Sequence, residues 1–165
     1  MTFENDRLLD QTGWRILDEL QRNARITFSE LGRRVSLTAP AVAERVRRLE
    51  EAGIITGYHV ELGGERLGLP VTAFIRITAT GAACTELGRA IKDFPEVLEC
   101  HRVTGEEAYI AKVAVRSVAH LEKLIDRLMP YGETITSIVL SSPVTHRVVE
   151  AAIALPDEDA AEAAS

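Results

Sequence analysis

The sequence has little cysteine, few aromatic residues and no long apolar run. Cys84 and Cys100 are its only cysteines, too few and too irregularly placed for a disulfide framework or a zinc cluster. No stretch approaches the roughly 18–20 uninterrupted apolar residues that a membrane helix needs. Acidic residues occur among the first ten positions, where a secretory signal would be basic. We therefore expect a cytoplasmic protein without a membrane segment.

Positive charge is also scarce overall, but it is concentrated in one stretch. The formal net charge is −6 at pH 7, and residues 1–64 contain nine arginines, no lysine and ten acidic residues. Residues 30–49, in contrast, contain five arginines and only two glutamates. Because contacts to DNA phosphates are made by a local patch, this excess is compatible with DNA binding by an acidic protein.

Apolar periodicity in the first third of the chain predicts three short helices. They cover residues 11–23, 28–35 and 39–52. Thr38 is suited to cap the third helix, Pro40 lies in its first turn, where a missing N–H costs nothing, and Gly53 ends it. Only a tight turn separates the second helix from the third. This arrangement predicts a helix-turn-helix.

The third helix has one apolar and one polar face. Val42, Val46 and Leu49 recur at helical spacing and are expected to face the other two helices. Residues outside this stripe, together with the N-cap, are candidate DNA contacts. They are Thr38, Pro40, Ala41, Glu44, Arg45, Arg47 and Arg48. The alternative is an ordinary solvated helix face, in which the arginines pair with Glu44 and Glu51.

From residue 71 onward the pattern predicts the order β-α-β-β-α-β, the ferredoxin-like split motif. The predicted strands cover residues 71–79, 97–103, 108–115 and 134–140, and the helices 83–94 and 117–129. Both helices should cover one face of an antiparallel sheet. The other face, with Phe74, Tyr109 or their neighbours, would be an apolar patch that a second copy of the chain covers. Residues 144–150 are a possible further strand.

Several motifs, in this order and spacing, resemble the Lrp/AsnC (feast/famine) family of transcription regulators. The longest is the run from Val42 to Tyr58, VAERVRRLEEAGIITGY. It is followed by Leu67–Val71 (LGLPV), by Pro95-Glu96-Val97 and by Val103-Thr104-Gly105. The resemblance covers about residues 8–145, and it is the combination of these motifs that makes it specific.

The sequence departs from the family pattern in three places. Gly13 stands where the family has an acidic residue in the first helix, which should weaken that helix slightly. The usual Ser-Pro start of the recognition helix is replaced by Thr38-Ala39-Pro40. Ala108 precedes Tyr109 where the family typically has an aspartate that helps to hold an amino-acid ligand. This last difference favours a different ligand, or none.

The resemblance implies a regulator that binds double-stranded DNA and a small-molecule effector, an amino acid or a related metabolite. It also implies a homodimer whose recognition helices enter successive major grooves about 34 Å apart, with assembly into tetramers or octamers. Effectors would bind between the second domains, near one turn and the last strand. The implied effector residues are Val103, Thr104, Gly105, Glu107, Ala108, Tyr109, Thr134 and Thr136. Ordinary β-propensity is the alternative explanation of the threonines.

The predicted protein is thus of the α+β class, with an N-terminal winged helix-turn-helix domain followed by a ferredoxin-like sensor domain. We expect the helix-turn-helix domain over residues 1–53, an extended linker over 54–69, the effector-binding and oligomerisation domain over 70–150, and an acidic, disordered tail over 151–165.

The alternative function is that of an enzyme, because the two-domain outline of this sequence also resembles that of tetrapyrrole-processing proteins of the siroheme decarboxylase type. The sequence contains no nucleophile with a paired base, no phosphate loop and no paired catalytic acids, so we predict no catalytic residue and no cofactor. We also predict no metal site, because Cys100 and His101 are adjacent on a strand and point to opposite faces. A scaffold that only dimerises would leave Arg45 and Arg48 unexplained.

Overall fold

A computed structural model of the protein describes residues 7–154. Within these residues the chain forms two compact units, the first of residues 7–60 together with 144–154 and the second of residues 61–143. The predicted tail lies outside the described residues from residue 155 onward. The sequence predicts that the second domain ends at residue 150, whereas the second unit of the structure ends at Pro143. The reason is that the chain after Pro143 makes its contacts within the first unit.

Four helices of the first unit lie entirely within the described residues, and the last of them is short. They are α1 (Gln11–Arg22), α2 (Phe28–Val35), α3 (Ala39–Glu51) and α6 (Ala151–Ala154). The first three match the predicted spans to within one residue. Each begins at a side-chain cap, with Asp10, Thr27 and Thr38 accepting hydrogen bonds from N–H groups of the first turn, as capping residues do.

The turn between α2 and α3 depends on a glycine. Ser36 adopts the left-handed conformation (φ 60°), and the Leu37 N–H donates to the Gly32 carbonyl oxygen at 2.8 Å. A Cβ on Gly32 would lie 2.4 Å from the Leu37 carbonyl oxygen. The tight turn that sets the angle between the two helices therefore requires glycine at this position.

Gly13 has a similar packing role in α1. A Cβ at this position would lie 1.9 Å from the Leu8 carbonyl oxygen, because the preceding chain passes directly against the helix. Gly13, which departs from the family pattern, thus lies where the backbone of Leu8 closely approaches α1.

The second unit has the predicted β-α-β-β-α-β order. Its elements are β1 (Val71–Thr78), α4 (Gly81–Ala90), β2 (Val97–Arg102), β3 (Tyr109–Val115), α5 (Val118–Leu128) and β4 (Glu133–Ile138). The strands pair antiparallel in the order β2-β3-β1-β4. Both helices pack on one face, since Leu87 of α4 and Leu124 of α5 share a buried cluster with Ile75 and Val113 of the sheet.

The opposite face of the sheet is open. Phe74 is 42% exposed and Ile135 is 55% exposed, and both alternate with strand residues that point to the helices. Tyr109, which was expected on or beside this face, lies on the helix side instead. It pairs with the buried Ile77 and packs against the cluster beneath the helices.

The predicted additional strand over residues 144–150 is wrong, because these residues form irregular chain in the structure. Within the first unit, the Val149 backbone N–H and carbonyl are bonded to the Gln21 side chain. Among residues 7–154, no helix has the length and apolar character needed to cross a bilayer.

We expect Gly32→Ala to destabilise the first unit by about 1–3 kcal/mol, because its Cβ would overlap a backbone oxygen. Urea unfolding followed by the fluorescence of Trp14, the only tryptophan, would measure this loss. Gly63→Ala is the control, since its Cβ would meet its nearest neighbour, an Arg66 side-chain atom, at an ordinary 3.6 Å. Equal stability of Gly32→Ala and the wild type would contradict the requirement for glycine in the turn.

Candidate DNA-binding surface and effector site

The beginning of α3 presents small side chains and a helix N-terminus to solvent. Thr38 and Pro40 are exposed and Ala41 is partly exposed, and the Thr38 hydroxyl accepts a hydrogen bond from the Ala41 N–H at 3.4 Å. A helix N-terminus carries partial positive charge and free N–H groups, which favour anions. With little side-chain bulk in the way, this end of α3 can approach a phosphate or a base edge closely.

The guanidinium of Arg45 is engaged in an ion pair within the protein, whereas a side chain that contacts DNA is expected to be free. Its guanidinium donates to both carboxylate oxygens of Asp10, at 2.7 and 2.8 Å. Asp10 is also the N-cap of α1, where it accepts from the Gly13 N–H at 2.7 Å. The hydrogen bonds from Arg45 hold the pKa of Asp10 below its ordinary value. Arg45 therefore ties α3 to the start of α1.

Arg47 and Arg48 lie on the exposed side of α3, with their side chains 53% and 60% exposed. Both pair with Glu44, at 2.7 and 2.8 Å, and Arg47 also pairs with Glu51. The two guanidiniums lower the pKa of Glu44 to about 2. Such exposed pairs contribute little to stability, so both arginines can exchange their glutamate partners for phosphate at small cost.

The second helix adds two arginines that the candidate set did not include. Arg33 is 78% exposed and pairs with Glu30. Arg34 pairs with Glu19 at 2.7 Å and with Glu30 at 3.0 Å, and so connects α1 and α2. The concentration of arginine in residues 30–49 is the signal that could have identified Arg33. Its exposure makes it a further candidate phosphate contact.

The turn between β2 and β3 carries the first part of the expected effector site. Its ends are joined by the Val103 N–H, which donates to the Ala108 carbonyl oxygen at 3.1 Å. Gly105 has a φ of +123°, in the region that favours glycine, and no atom outside its immediate neighbours lies within 4 Å of a Cβ built there. Glu107 lies 3.5 Å from Arg76 of β1. The turn is therefore open, and Thr104 and Gly105 are exposed.

The other expected effector residues lie elsewhere on the sheet. Thr134 and Thr136 of β4 pair with Ile77 and Ile75 of β1, and Tyr109 pairs with Ile77 from the opposite side. Two strand spacings, about 10 Å, therefore separate β4 from β3. Thr134 lines one cleft with Met129 and Gly132, whereas Tyr109 lines a different cleft with Gly88 and Cys100.

The hydroxyl of Tyr109 is engaged inside the second unit. It donates to the Cys84 carbonyl oxygen of α4 at 3.3 Å, and burial raises the pKa of Tyr109. Gly88 of the same helix leaves the room for this contact, because a Cβ there would lie 2.6 Å from the hydroxyl. Tyr109 thus positions α4 on the sheet. Its side chain points toward α4 and away from the exposed turn of residues 103–108.

Family models match both halves of the chain. A winged helix-turn-helix DNA-binding model matches residues 9–56, and an Lrp/AsnC ligand-binding domain model matches residues 72–149. The fold and these matches define a transcription regulator with separate DNA-binding and ligand-binding domains. The HTH-type transcriptional regulator YezC of Bacillus subtilis is 44% identical over 138 residues, or 84% of this chain and 98% of that protein. The chain belongs to the Lrp/AsnC family of DNA-binding transcription regulators.

Solved structures agree with this assignment. LrpC of Bacillus subtilis is 34% identical, covers 83% of this chain and 98% of its own, and superposes with a TM-score of 0.79. A transcriptional regulator of Neisseria meningitidis in complex with L-methionine is 30% identical, covers 88% of this chain and 99% of its own, and superposes with a TM-score of 0.82. The predicted family and fold class are thus confirmed.

We expect Asp10→Asn to lower the free energy of unfolding by at most about 1 kcal/mol at neutral pH, because the pair with Arg45 is partly exposed. Asparagine remains a good N-cap, so the change isolates the ion pair. The lowered pKa of Asp10 means that its stabilisation is complete above the ordinary pKa of 3.8 and is lost as the pH falls through the folded value.

Urea unfolding of both proteins across this pH range measures the difference. The matched control is Asp18→Asn, which removes a more exposed pair with Arg22 on the same helix and should cost less. A difference between wild type and Asp10→Asn that grows as the pH falls would contradict the assigned role of the pair.

Proposed function

We propose that this regulator binds DNA by inserting the start of α3 into the major groove, with Arg47 and Arg48 contacting phosphates. The observation that carries the proposal is the combination of an uncrowded helix start at Thr38–Ala41 with two exposed guanidiniums on the same helix. Phosphate contacts set the position of a protein on the duplex, and side chains at the helix start read base edges. Arg45 supports the fold of this surface, through Asp10, instead of contacting phosphate itself.

The open face of the sheet supports assembly of more than one copy. Phe74 and Ile135 are exposed there beside charged residues of both signs, among them Glu99 and Lys112. We propose that a second copy covers this face, as the resemblance implies, and that dimers present two α3 helices to DNA. A bound ligand then controls the association of these dimers into tetramers or octamers.

A regulator of this kind acts where the DNA is, which is the cytoplasm in bacteria and archaea.

For DNA binding, we expect the double variant Arg47→Ala, Arg48→Ala to bind more weakly by about one to two orders of magnitude at low salt. Loss of two phosphate contacts should also reduce the dependence of log affinity on log salt by up to about two units. Gel-shift titrations at several salt concentrations, on a duplex selected from random sequence by the wild-type protein, measure both quantities.

The matched control for net charge is Arg89→Ala, Lys123→Ala, which removes two exposed positive charges from helices of the second unit. It should bind as the wild type does. If both double variants bind equally well, α3 does not supply the phosphate contacts.

We further propose that the effector is an amino acid or a related carboxylate, bound where the Val103–Ala108 turn of one copy meets another copy. The exposed turn and the separation of Thr134 and Thr136 from it support a site completed between copies. Structures of relatives contain L-methionine, one from Neisseria meningitidis and one from Mycobacterium tuberculosis. Free N–H groups around Gly105 suit a carboxylate, whereas Ala108 supplies no acid for an amino group. Acids without the amino group are therefore included among the candidates.

For the effector, we expect at least one L-amino acid or its 2-oxo acid to raise the thermal midpoint of the protein by binding the folded state. Gly105→Val should abolish this rise, because valine is strained at a φ of +123° and fills the turn. Gly68→Val is the matched control, since Gly68 also has a positive φ (+77°) and open space, but lies outside the turn. A rise that persists in Gly105→Val puts the ligand elsewhere, and no rise with any compound refutes the proposed effector class.

A further inference from the structure

The chain that follows the last strand of the sheet becomes part of the DNA-binding unit. The final hydrogen bond of the sheet here runs from the Val139 N–H to the Thr72 carbonyl oxygen at 2.9 Å. After only four intervening residues, from residue 144 onward, the chain makes its contacts within the first unit. Residues 144–154, here named the strap, therefore connect the end of β4 to the helices around α3. None of the functions discussed above uses this segment.

A single side chain holds the strap to α1 by two hydrogen bonds. The Gln21 side-chain nitrogen donates to the Val149 carbonyl oxygen at 3.1 Å, and its side-chain oxygen accepts from the Val149 N–H at 2.8 Å. A glutamine amide has both a donor and an acceptor and can therefore satisfy a backbone N–H and a backbone carbonyl together. Gln21 thus replaces the missing β-strand partner of residue 149.

Apolar packing supports this contact. Ala151 packs against the buried cluster that contains Trp14, Leu17 and Leu20 of α1. Val149 and Ala151 also line a cleft together with Trp14. The Trp14 indole nitrogen is buried with no hydrogen-bond partner among the described residues, so its surroundings are sensitive to the position of the strap.

The helix that receives the strap is also fixed to the recognition helix. Trp14 and Leu20 of α1 belong to the same buried cluster as Val42 and Val46 of α3. Asp10, at the start of α1, is bonded to Arg45 of α3. A packed helix transmits displacement as a rigid element, so a shift of the strap at Gln21 acts on α3 through α1.

We propose that the strap is a coupling element that carries changes at the end of β4 to α1, and that Gln21 is the positioning residue that holds it. The linker over residues 54–69 is then not the only connection between the sheet and the DNA-binding helices, because the strap adds a second one through its non-covalent contacts with α1. The test requires neither DNA nor an effector, so its outcome is independent of the function proposed above.

The first experiment compares Gln21→Leu in the full chain with Gln11→Leu. Both replace a glutamine on α1 by a good helix former, but Gln11 lies exposed in the first turn of the helix. Backbone amide hydrogen exchange of residues 144–154 should accelerate about tenfold in Gln21→Leu, the factor expected for loss of one or two hydrogen bonds, and stay as in the wild type in Gln11→Leu. Unchanged exchange in Gln21→Leu, or equal acceleration in both variants, would overturn the proposal.

The second experiment tests the coupling itself with Ile138→Gly. Ile138 is the last residue of β4, pairs with Ala73 and is 44% exposed, so the change weakens the strand end without opening the core. We expect the emission of Trp14 to shift in Ile138→Gly, and this shift to disappear when Gln21→Leu is added. No shift in the single variant, or the same shift in both backgrounds, would show that the strap does not carry the change.

Discussion

The burial of the apolar stripe on α3 is the constraint on which the DNA-binding surface depends. Val42, Val46 and Leu49 are at most 2% exposed, and packing them against α1 and α2 sets the rotation of the helix about its own axis. Because successive residues are about 100° apart, Arg45 then faces the start of α1, whereas Arg47 and Arg48 face solvent. The same packing that stabilises the unit therefore decides which guanidiniums are available to phosphate.

Local periodicity predicts the helices and strands to within a few residues, but it does not predict the partners of their charged groups. Arg45 lies outside the apolar stripe, so the sequence alone assigns it to the DNA-facing set. Its actual partner, Asp10, is 35 residues away, and their contact depends on how α1 crosses α3. The position of the strap is not predicted for the same reason, since the Gln21 contact with Val149 spans 128 residues. Neither separation leaves a signal in the spacing of residue types.

The position of Tyr109 could have been derived from the sequence with a stricter use of strand alternation. Tyr109 shares its parity with Ala111, Val113 and Val115, the apolar face of β3, and Lys112 lies on the other face. The effector residues are a different case. The order β2-β3-β1-β4 separates the turn from Thr134 by one intervening strand. A set of residues taken from a resemblance carries no such spatial information, so their separation on the sheet, on which the proposal of a site between copies rests, becomes apparent only from the strand order.

Helix α1 connects these observations, although the sequence suggests only a supporting role for it. Its N-cap, Asp10, is bonded to the middle of the recognition helix, and its last turn holds the strap through Gln21. Gln21 follows Asp10 by eleven residue steps, which span about 16 Å of helix, and Trp14 packs in the common core between them. A helix fixed at both ends cannot tilt at one end without moving the other, because its backbone hydrogen bonds resist bending. We therefore expect a displacement of the strap at Gln21 to reach the recognition helix through α1.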